Sequence, residues 1–229
     1  LGRHDVDTAL LAGGTVLNAG LAGAPAEVVD LQSLGLDGVS LRGSHMTVGS
    51  MVRLRDLIDH PATPRLVTEA AQREGPNTFR NAATVGGVVA SRDRESELLA
   101  ALLVHEALVS VAGPDGSEDQ PLETVLGAPG ELSGGVITEI SIATDGIGHI
   151  ERTGRTPADR SIVAAVGRRT EGGLVWLAMT GVAPVPVLVD DPDDLQHEPP
   201  EDFRGSSEYR RELAGILGAR ALDFLGEAS

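Results

Sequence analysis

The sequence predicts an α+β protein built as two unequal units, and three observations carry that reading. Short apolar runs bounded by glycine, the first at Thr8 to Ala12, are interspersed with stretches of helical spacing such as Pro64 to Glu74. Val39 to Gly49 alternates apolar and polar residues across a Gly43-Ser44 turn, the pattern of a half-buried hairpin. Past Thr144-Asp145-Gly146-Ile147-Gly148, where two glycines break the pattern, two antiparallel strands and a closing helix form a smaller unit. The units are therefore expected at residues 1–145 and 146–229.

Taken in order, Thr8 to Ala12 reads as a buried strand feeding a glycine loop, and Val28-Val29-Asp30-Leu31 as a second short strand. After the hairpin, Leu54 to Asp59 and Pro64 to Glu74 read as helices; Leu66, Val67, Ala70 and Ala71 give the second an apolar face. Gly75-Pro76-Asn77 ends it, and a second glycine loop follows within Phe79 to Ser91. Leu98 to Leu108 is apolar enough for a buried helix. Ser96 supplies its capping hydroxyl, and Glu97 places a carboxylate at the positive end of the dipole. Val109 to Val111 is a strand, Gly113 to Ser117 a turn, Gly127 to Gly135 a loop, and Val136 to Ala143 another strand. In the smaller unit, Ser161 to Gly167 and Gly173 to Thr180 pair as strands carrying Trp176. Pro184 to Pro200 is an acidic, proline-rich loop, and Ser206 to Leu225 is the final helix.

Composition narrows the function. Aromatic residues are only 2% of the chain, so the core is expected to be aliphatic. A formal charge of -16 repels a phosphate backbone and an anionic membrane surface, which excludes nucleic acid as a partner. No apolar run approaches the ~20 residues of a membrane span. The start, Leu1-Gly2-Arg3-His4-Asp5, is polar, lacks an initiator Met and shows no signal-peptide pattern, so a trimmed N-terminus and a cytoplasmic location are expected. Zero cysteines removes disulfides, thiol nucleophiles and any thiolate-held metal or cluster from this chain. His4, His45, His60, His105, His149 and His197 are scattered without metal-ligand spacing, so no metal site is expected.

The chemistry concentrates in the two glycine loops, Ala12-Gly13-Gly14-Thr15-Val16 and Thr84-Val85-Gly86-Gly87-Val88. Glycines without a Cβ let backbone N–H groups approach a phosphate, and a run of such donors makes an anion-binding nest. Two such loops could hold one pyrophosphate between them. Each Gly-Gly pair alone also reads as an ordinary turn. No Ser-His-Asp or paired-carboxylate constellation accompanies them, so no catalytic residue is expected.

These residues resemble the FAD-binding, or medium, subunit of molybdenum hydroxylases, the group that includes carbon monoxide, xanthine and aldehyde dehydrogenases. Ala12-Gly13-Gly14-Thr15 is similar to the family's first loop, and Arg80-Asn81-Ala82-Ala83-Thr84-Val85-Gly86-Gly87 to its R-N-x-x-T-I/V-G-G-N segment, with Val88 where asparagine is usual. Ser91, Asp93, Ser96 and Glu97 fall on the family's polar run, where Glu97 replaces a usual aspartate. Arg152 stands where a lysine or arginine often faces the flavin, and Gly205-Ser206-Ser207-Glu208-Tyr209-Arg210-Arg211 resembles the start of the last helix.

The resemblance implies a two-part PCMH-type FAD-binding domain followed by a small C-terminal domain of antiparallel sheet plus helix, with the family's N-terminal strand and helix missing. By carry-over, the backbone of Ala12, Gly13, Gly14, Thr15 and Val16 and of Thr84, Val85, Gly86, Gly87 and Val88 would hold the pyrophosphate. Ser91 would add a hydroxyl to those of Thr15 and Thr84, Glu97 and Arg152 would touch polar groups of the cofactor, and Ile140 would pack near the flavin ring. The molybdenum cofactor would lie in a large partner subunit and 2Fe-2S clusters in a small one, in a dimer of heterotrimers. This chain would pass electrons from the clusters to NAD, a quinone or another acceptor. The alternatives are a structural subunit that has lost FAD, suggested by Val88 and Glu97, and a stand-alone FAD oxidoreductase.

Overall fold

The computed structural model describes residues 8–17, 27–128, 132, 135–156 and 159–227. The expectations for Leu1 to Asp5, including His4, and for most of residues 129–134 lie outside the described residues. Two antiparallel sheets dominate, as an α+β fold requires. The first has five strands in the order β3 (Val39–Arg42), β4 (His45–Gly49), β7 (Val136–Ala143), β5 (Leu108–Gly113) and β6 (Gly116–Pro121). The second has four, in the order β11 (Val187–Leu188), β10 (Val175–Thr180), β9 (Val163–Arg169) and β8 (Ile147–Thr153). A separate parallel pair joins β1 (Thr8–Leu11) to β2 (Glu27–Asp30), with Leu10 opposite Val29.

The predicted hairpin forms in register, Ser40 facing Thr47 and Leu41 facing Met46, with Gly43 at φ +60 in its turn. Helices α1 (Leu54–Asp59) and α2 (Arg65–Arg73) occur where the apolar spacing places them, and α2 buries Leu66, Val67, Ala70 and Ala71. Helix α5 (Glu97–Val104) is buried along its whole length, which explains a sequence apolar on every side. It stops earlier than expected, because Glu106 at φ 54 turns the chain and Leu108 already begins β5.

Three predicted irregular stretches are regular. Gly116 to Pro121 is strand β6, an exposed polar edge that alternation cannot reveal, and it pairs with β5. Ile147 to Thr153, placed at a break between units, is strand β8; Gly148 lets it lie against α2, since a Cβ there would come 2.6 Å from Leu66 Cδ2. The second glycine loop becomes a helix, α4 (Val85–Ser91), despite its paired glycines. Thr84 caps it, its Oγ1 accepting from Gly87 N at 3.1 Å.

Strand β9 and residues Leu177 to Thr180 of β10 are buried on both faces. Val166 and Ala178 join the large core around α5, while Ala165, Leu177 and Met179 pack with Ala214, Leu217 and Ala221 of α7 (Ser207–Glu227). This explains the unbroken apolar run in β9. The large core thus continues from the first sheet into Ile150, Val166 and Ala178, across the expected boundary.

The segment between α4 and α5 clamps the C-terminal part in place by alternating charges. Asp93 meets Arg160 at 2.6 Å, Arg94 meets Asp202 at 2.7 Å, and Glu95 meets Arg204 at 2.5 Å. The Arg94 carbonyl also accepts from Gly181 N at 2.9 Å. Asp202 in turn receives the fully buried Arg210 through two bonds of 2.8 and 2.9 Å, while Arg210 Nη1 donates to the Ile162 and Gly181 carbonyls. The other fully buried guanidinium, Arg168, donates to the Asp145 carboxylate and carbonyl, the Val104 carbonyl and Glu106. Both terminal nitrogens of each buried guanidinium find carbonyl or carboxylate acceptors, while Arg210 Nε has no partner among the described residues.

Candidate functional site

The two glycine segments come together. A cleft of about 290 Å³ lies between the chain leaving β1, where Ala12, Gly13, Gly14, Thr15 and Val16 form one wall, and the start of α4, where Thr84, Gly86, Gly87 and Ser91 form the other. Ser50, Met51 and Val136 and Ile137 of β7 also line it. The contact between the walls depends on glycine itself: a Cβ on Gly13 would sit 2.0 Å from the Ala82 carbonyl oxygen, and one on Gly86 would sit 2.6 Å from Ser50 Cβ. Gly14 adopts φ +69, a left-handed conformation that side chains resist. The glycines therefore permit close packing of backbone on backbone as well as approach by a ligand.

The walls differ in what they can donate. At the second wall, Val85 N donates to the Val52 carbonyl at 2.9 Å, Gly86 N to the Ser50 carbonyl at 2.9 Å, Gly87 N to Thr84 Oγ1 at 3.1 Å and Val88 N to the Thr84 carbonyl at 3.0 Å. The backbone donors from Val85 to Val88, which the sequence reading directs at a pyrophosphate, thus bond inside the protein. At the first wall the N–H groups of Gly13, Gly14 and Thr15 form no hydrogen bond among the described residues. Among the described residues, the donors left without a bond between the walls are therefore backbone N–H groups on that side, facing the Thr84 hydroxyl side of the cleft.

Val85 and Val88, expected to offer backbone, have side chains in the large core, and Ile140 of β7 is wholly buried in the same core. Glu97, only 2% exposed, accepts from Arg152 Nε at 2.9 Å and lies 3.4 Å from Arg73 Nη1, so the acidic and basic residues expected at the cofactor bind each other outside the cleft lining. Ser91 lines the cleft but its Oγ donates to the Val88 carbonyl at 2.8 Å. Ser50 and Met51 went unnoticed in the sequence, where nothing but their position after the Gly49 end of the hairpin marks them.

No described residue lining the cleft is acidic, basic or a histidine. The polarity of the described lining therefore comes from N–H dipoles and hydroxyls. Among the described residues no group of three or more His, Asp or Glu could hold a metal ion, and no helix is long and apolar enough to cross a membrane. The donor set fits a phosphate-bearing cofactor with a ring system: backbone donors at Gly13 to Thr15 that form no bond among the described residues, a hydroxyl at Thr84, and aliphatic walls.

Residues 1–144 match the family described as the FAD binding domain in molybdopterin dehydrogenase. The chain belongs to this family. FAD is its cofactor, and its class is that of an oxidoreductase subunit, as the resemblance in the two glycine segments implies. Among relatives, the carbon monoxide dehydrogenase medium chain of Hydrogenophaga pseudoflava is 28% identical over 97% of this chain and 91% of its own length. The uncharacterized protein YgfM of Escherichia coli is 29% identical over 95% of this chain and 87% of its own length. In three dimensions the chain is similar to carbon monoxide dehydrogenase from Hydrogenophaga pseudoflava, solved without the Mo-pyranopterin moiety of its cofactor, with a TM-score of 0.85 at 26% identity over 96% of this chain and 90% of that one. Quinoline 2-oxidoreductase from Pseudomonas putida 86 shares the fold, with a TM-score of 0.83 at 19% identity over 97% of this chain and 90% of that one. This FAD-binding domain matches the expected α+β fold.

Proposed function

We propose that this chain is the electron-transfer subunit of a molybdenum hydroxylase complex, holding FAD in the cleft between its two glycine segments. It takes electrons from 2Fe-2S clusters of a small partner subunit and delivers them to NAD, a quinone or another acceptor, while a large subunit carries the molybdenum cofactor. The assembly is a dimer of heterotrimers in the cytoplasm, with residues 1–145 binding flavin and 146–229 forming the sheet-and-helix unit. The observation that carries this reading is a cleft with open backbone donors at Gly13 to Thr15 and no ionisable side chain in its described lining.

Bound FAD supplies the redox chemistry, accepting and releasing electrons singly or in pairs. The chain's own residues hold and orient it. The N–H groups of Gly13, Gly14 and Thr15 would hold its anionic group, in a segment whose approach to the Ala82 carbonyl leaves no room for a Cβ at Gly13. Thr84 keeps its hydroxyl proton available, since its Oγ1 accepts from Gly87 N. Leu10, Val136 and Ile137 shield apolar surface from water.

Purification of the native assembly with its visible spectrum and released cofactor tests the proposal. Stoichiometric FAD on this chain, with iron–sulfur absorbance from co-purifying subunits, is the expected result. Iron–sulfur absorbance without flavin would leave the chain a structural subunit. Flavin on a chain that turns over alone would make it a free-standing oxidoreductase.

A further inference from the structure

We propose that Phe203, with Tyr209 and Ile216 beside it, is the docking surface for the iron–sulfur partner subunit, whose matching face is an apolar pocket rimmed by Lys or Arg. This rests on the reading that the chain takes electrons from such a subunit. Phe203 is one of three phenylalanines in the chain, and it is 91% exposed. It belongs to neither core, and the turn that carries it has no need of an aromatic. A large ring held in water gains its burial energy when a partner covers it.

The ring stands on a rigid support. Asp202 and Gly205 close the turn through two backbone bonds of 3.2 Å, and Asp202 Oδ1 accepts from Arg204 N at 2.9 Å. Both neighbours of Phe203 are also held from outside the turn: Asp202 by Arg94 and the buried Arg210, and Arg204 by Glu95 and the Arg160 carbonyl. Little freedom is left to be lost on binding, which favours affinity. The exposed Tyr209 lies against the same turn, since a Cβ on Gly205 would come 3.0 Å from its ring. Ile216, seven residues further on, shares the outer face of α7 with Tyr209. Glu201, Glu208 and Glu212 are exposed along this stretch and form no ion pair among the described residues, whereas Arg204 and Arg211 are paired and Arg210 is buried. An aromatic patch among unpaired carboxylates fits a basic-rimmed pocket and repels a second copy of itself. Position selects the cluster-bearing partner. Arg94 and Glu95, which hold the turn, come just after Ser91 of the cleft wall, and electron transfer weakens steeply with distance.

The test is Phe203→Ser in the full chain, produced with its partners and purified as the native assembly. Dilution of that assembly, followed by mass photometry, should show a Kd for the iron–sulfur subunit raised roughly thirtyfold, the size of truncating an interface anchor. Iron–sulfur absorbance should then separate from the flavin-bearing chain. The FAD content and Tm of the free chain should stay unchanged, because Phe203 lies outside the cleft lining and both cores. Glu208→Gln combined with Glu212→Gln should make the assembly less sensitive to salt. An unaltered Kd in Phe203→Ser overturns the proposal, as does a lowered Tm of the free chain or an unchanged salt response. So does loss of the molybdenum subunit with the iron–sulfur subunit retained, or a self-dimer of this chain that Phe203→Ser dissolves. If the unaltered chain purifies with flavin but no iron–sulfur subunit, the electron-transfer reading itself fails and the docking surface falls with it.

Discussion

Arg152 of β8 donates through Nε to Glu97 Oε1 at 2.9 Å, joining a strand of the second sheet to the first turn of α5. Glu97 is 2% exposed, and Arg73 approaches its other oxygen from α2 at 3.4 Å, so one carboxylate ties together a strand and two helices. Adjacent Ser96 extends the junction: its Oγ donates to Glu74 Oε1 at 2.8 Å and accepts from Leu99 N at 3.0 Å. Glu74 also accepts from Leu98 N, and burial pushes its carboxyl up from the ordinary range.

Glu97→Ala is expected to destabilise the fold by roughly 3 kcal/mol, the lower end for breaking a buried pair because both arginines keep some contact with water. Urea unfolding measures this. Folded protein should keep its full flavin content, since Glu97 lies outside the cleft lining. Loss of flavin at unchanged stability would instead place Glu97 at the cofactor.

Gly87→Asp should separate binding from folding. Gly87 lines the cleft in the first turn of α4, and a Cβ there meets only Thr84 Oγ1, at 3.0 Å. A carboxylate in that turn favours the helix by about 0.3–1 kcal/mol, yet it confronts an anionic ligand. The expected outcome is a melt close to that of the unaltered chain with flavin content near zero, read from the absorbance of purified protein.

His105 sets an acid limit on stability. Burial lowers its pKa to about 4, outweighing the Ala143 carbonyl that accepts from or faces Nδ1 at 2.6 Å, while the Arg168 guanidinium lowers it further. Because the folded form holds the imidazole neutral, the unfolded chain binds the extra proton first as pH falls below the ordinary value of 6.5. Stability should therefore decline between pH 6.5 and about 4, by about 3 kcal/mol in all. His105→Gln should flatten that part of the curve in urea titrations at several pH values.

Asp202→Ala should cost about 3–5 kcal/mol, because it leaves the fully buried Arg210 without its carboxylate and frees Arg94 as well. A drop in Tm measured by calorimetry checks this, and Asp202→Asn should recover only part of the loss. Burial opposes ionisation of Asp202, but the Arg204 N–H and the Arg210 and Arg94 guanidiniums prevail and hold its pKa below the usual range.

Some of this was readable from local pattern. Helical spacing at Leu66, Val67, Ala70 and Ala71 gave α2 its buried face, alternation gave the hairpin, and Ser96 gave the cap of α5. Strand β6 escaped because Gly116-Ser117-Glu118-Asp119-Gln120-Pro121 has no apolar alternation and forms by pairing with β5 alone. Strand β8 escaped because Gly146 and Gly148 resemble a linker until Leu66 is seen packed against the second of them. The charges from Asp93 to Glu97 read as a polar run near a cofactor; in the fold Asp93, Glu95 and Glu97 bind Arg160, Arg204 and Arg152, and Arg94 binds Asp202, each partner more than fifty residues away.

The sequence by itself determined the hairpin, helices α2 and α5, the aliphatic core, the two glycine segments and the family they mark, since periodicity, glycine and short motifs are properties of neighbouring residues. Tertiary structure alone decided which donors are free. Gly86 N is committed to the Ser50 carbonyl and Gly87 N to Thr84 Oγ1, while Gly13 and Gly14 form no such bond among the described residues and Ser50 Oγ is left without a partner. A hydrogen bond requires two groups within about 3 Å at a suitable angle, and which distant atoms arrive there is settled by the packing of β1, β4 and α4 together.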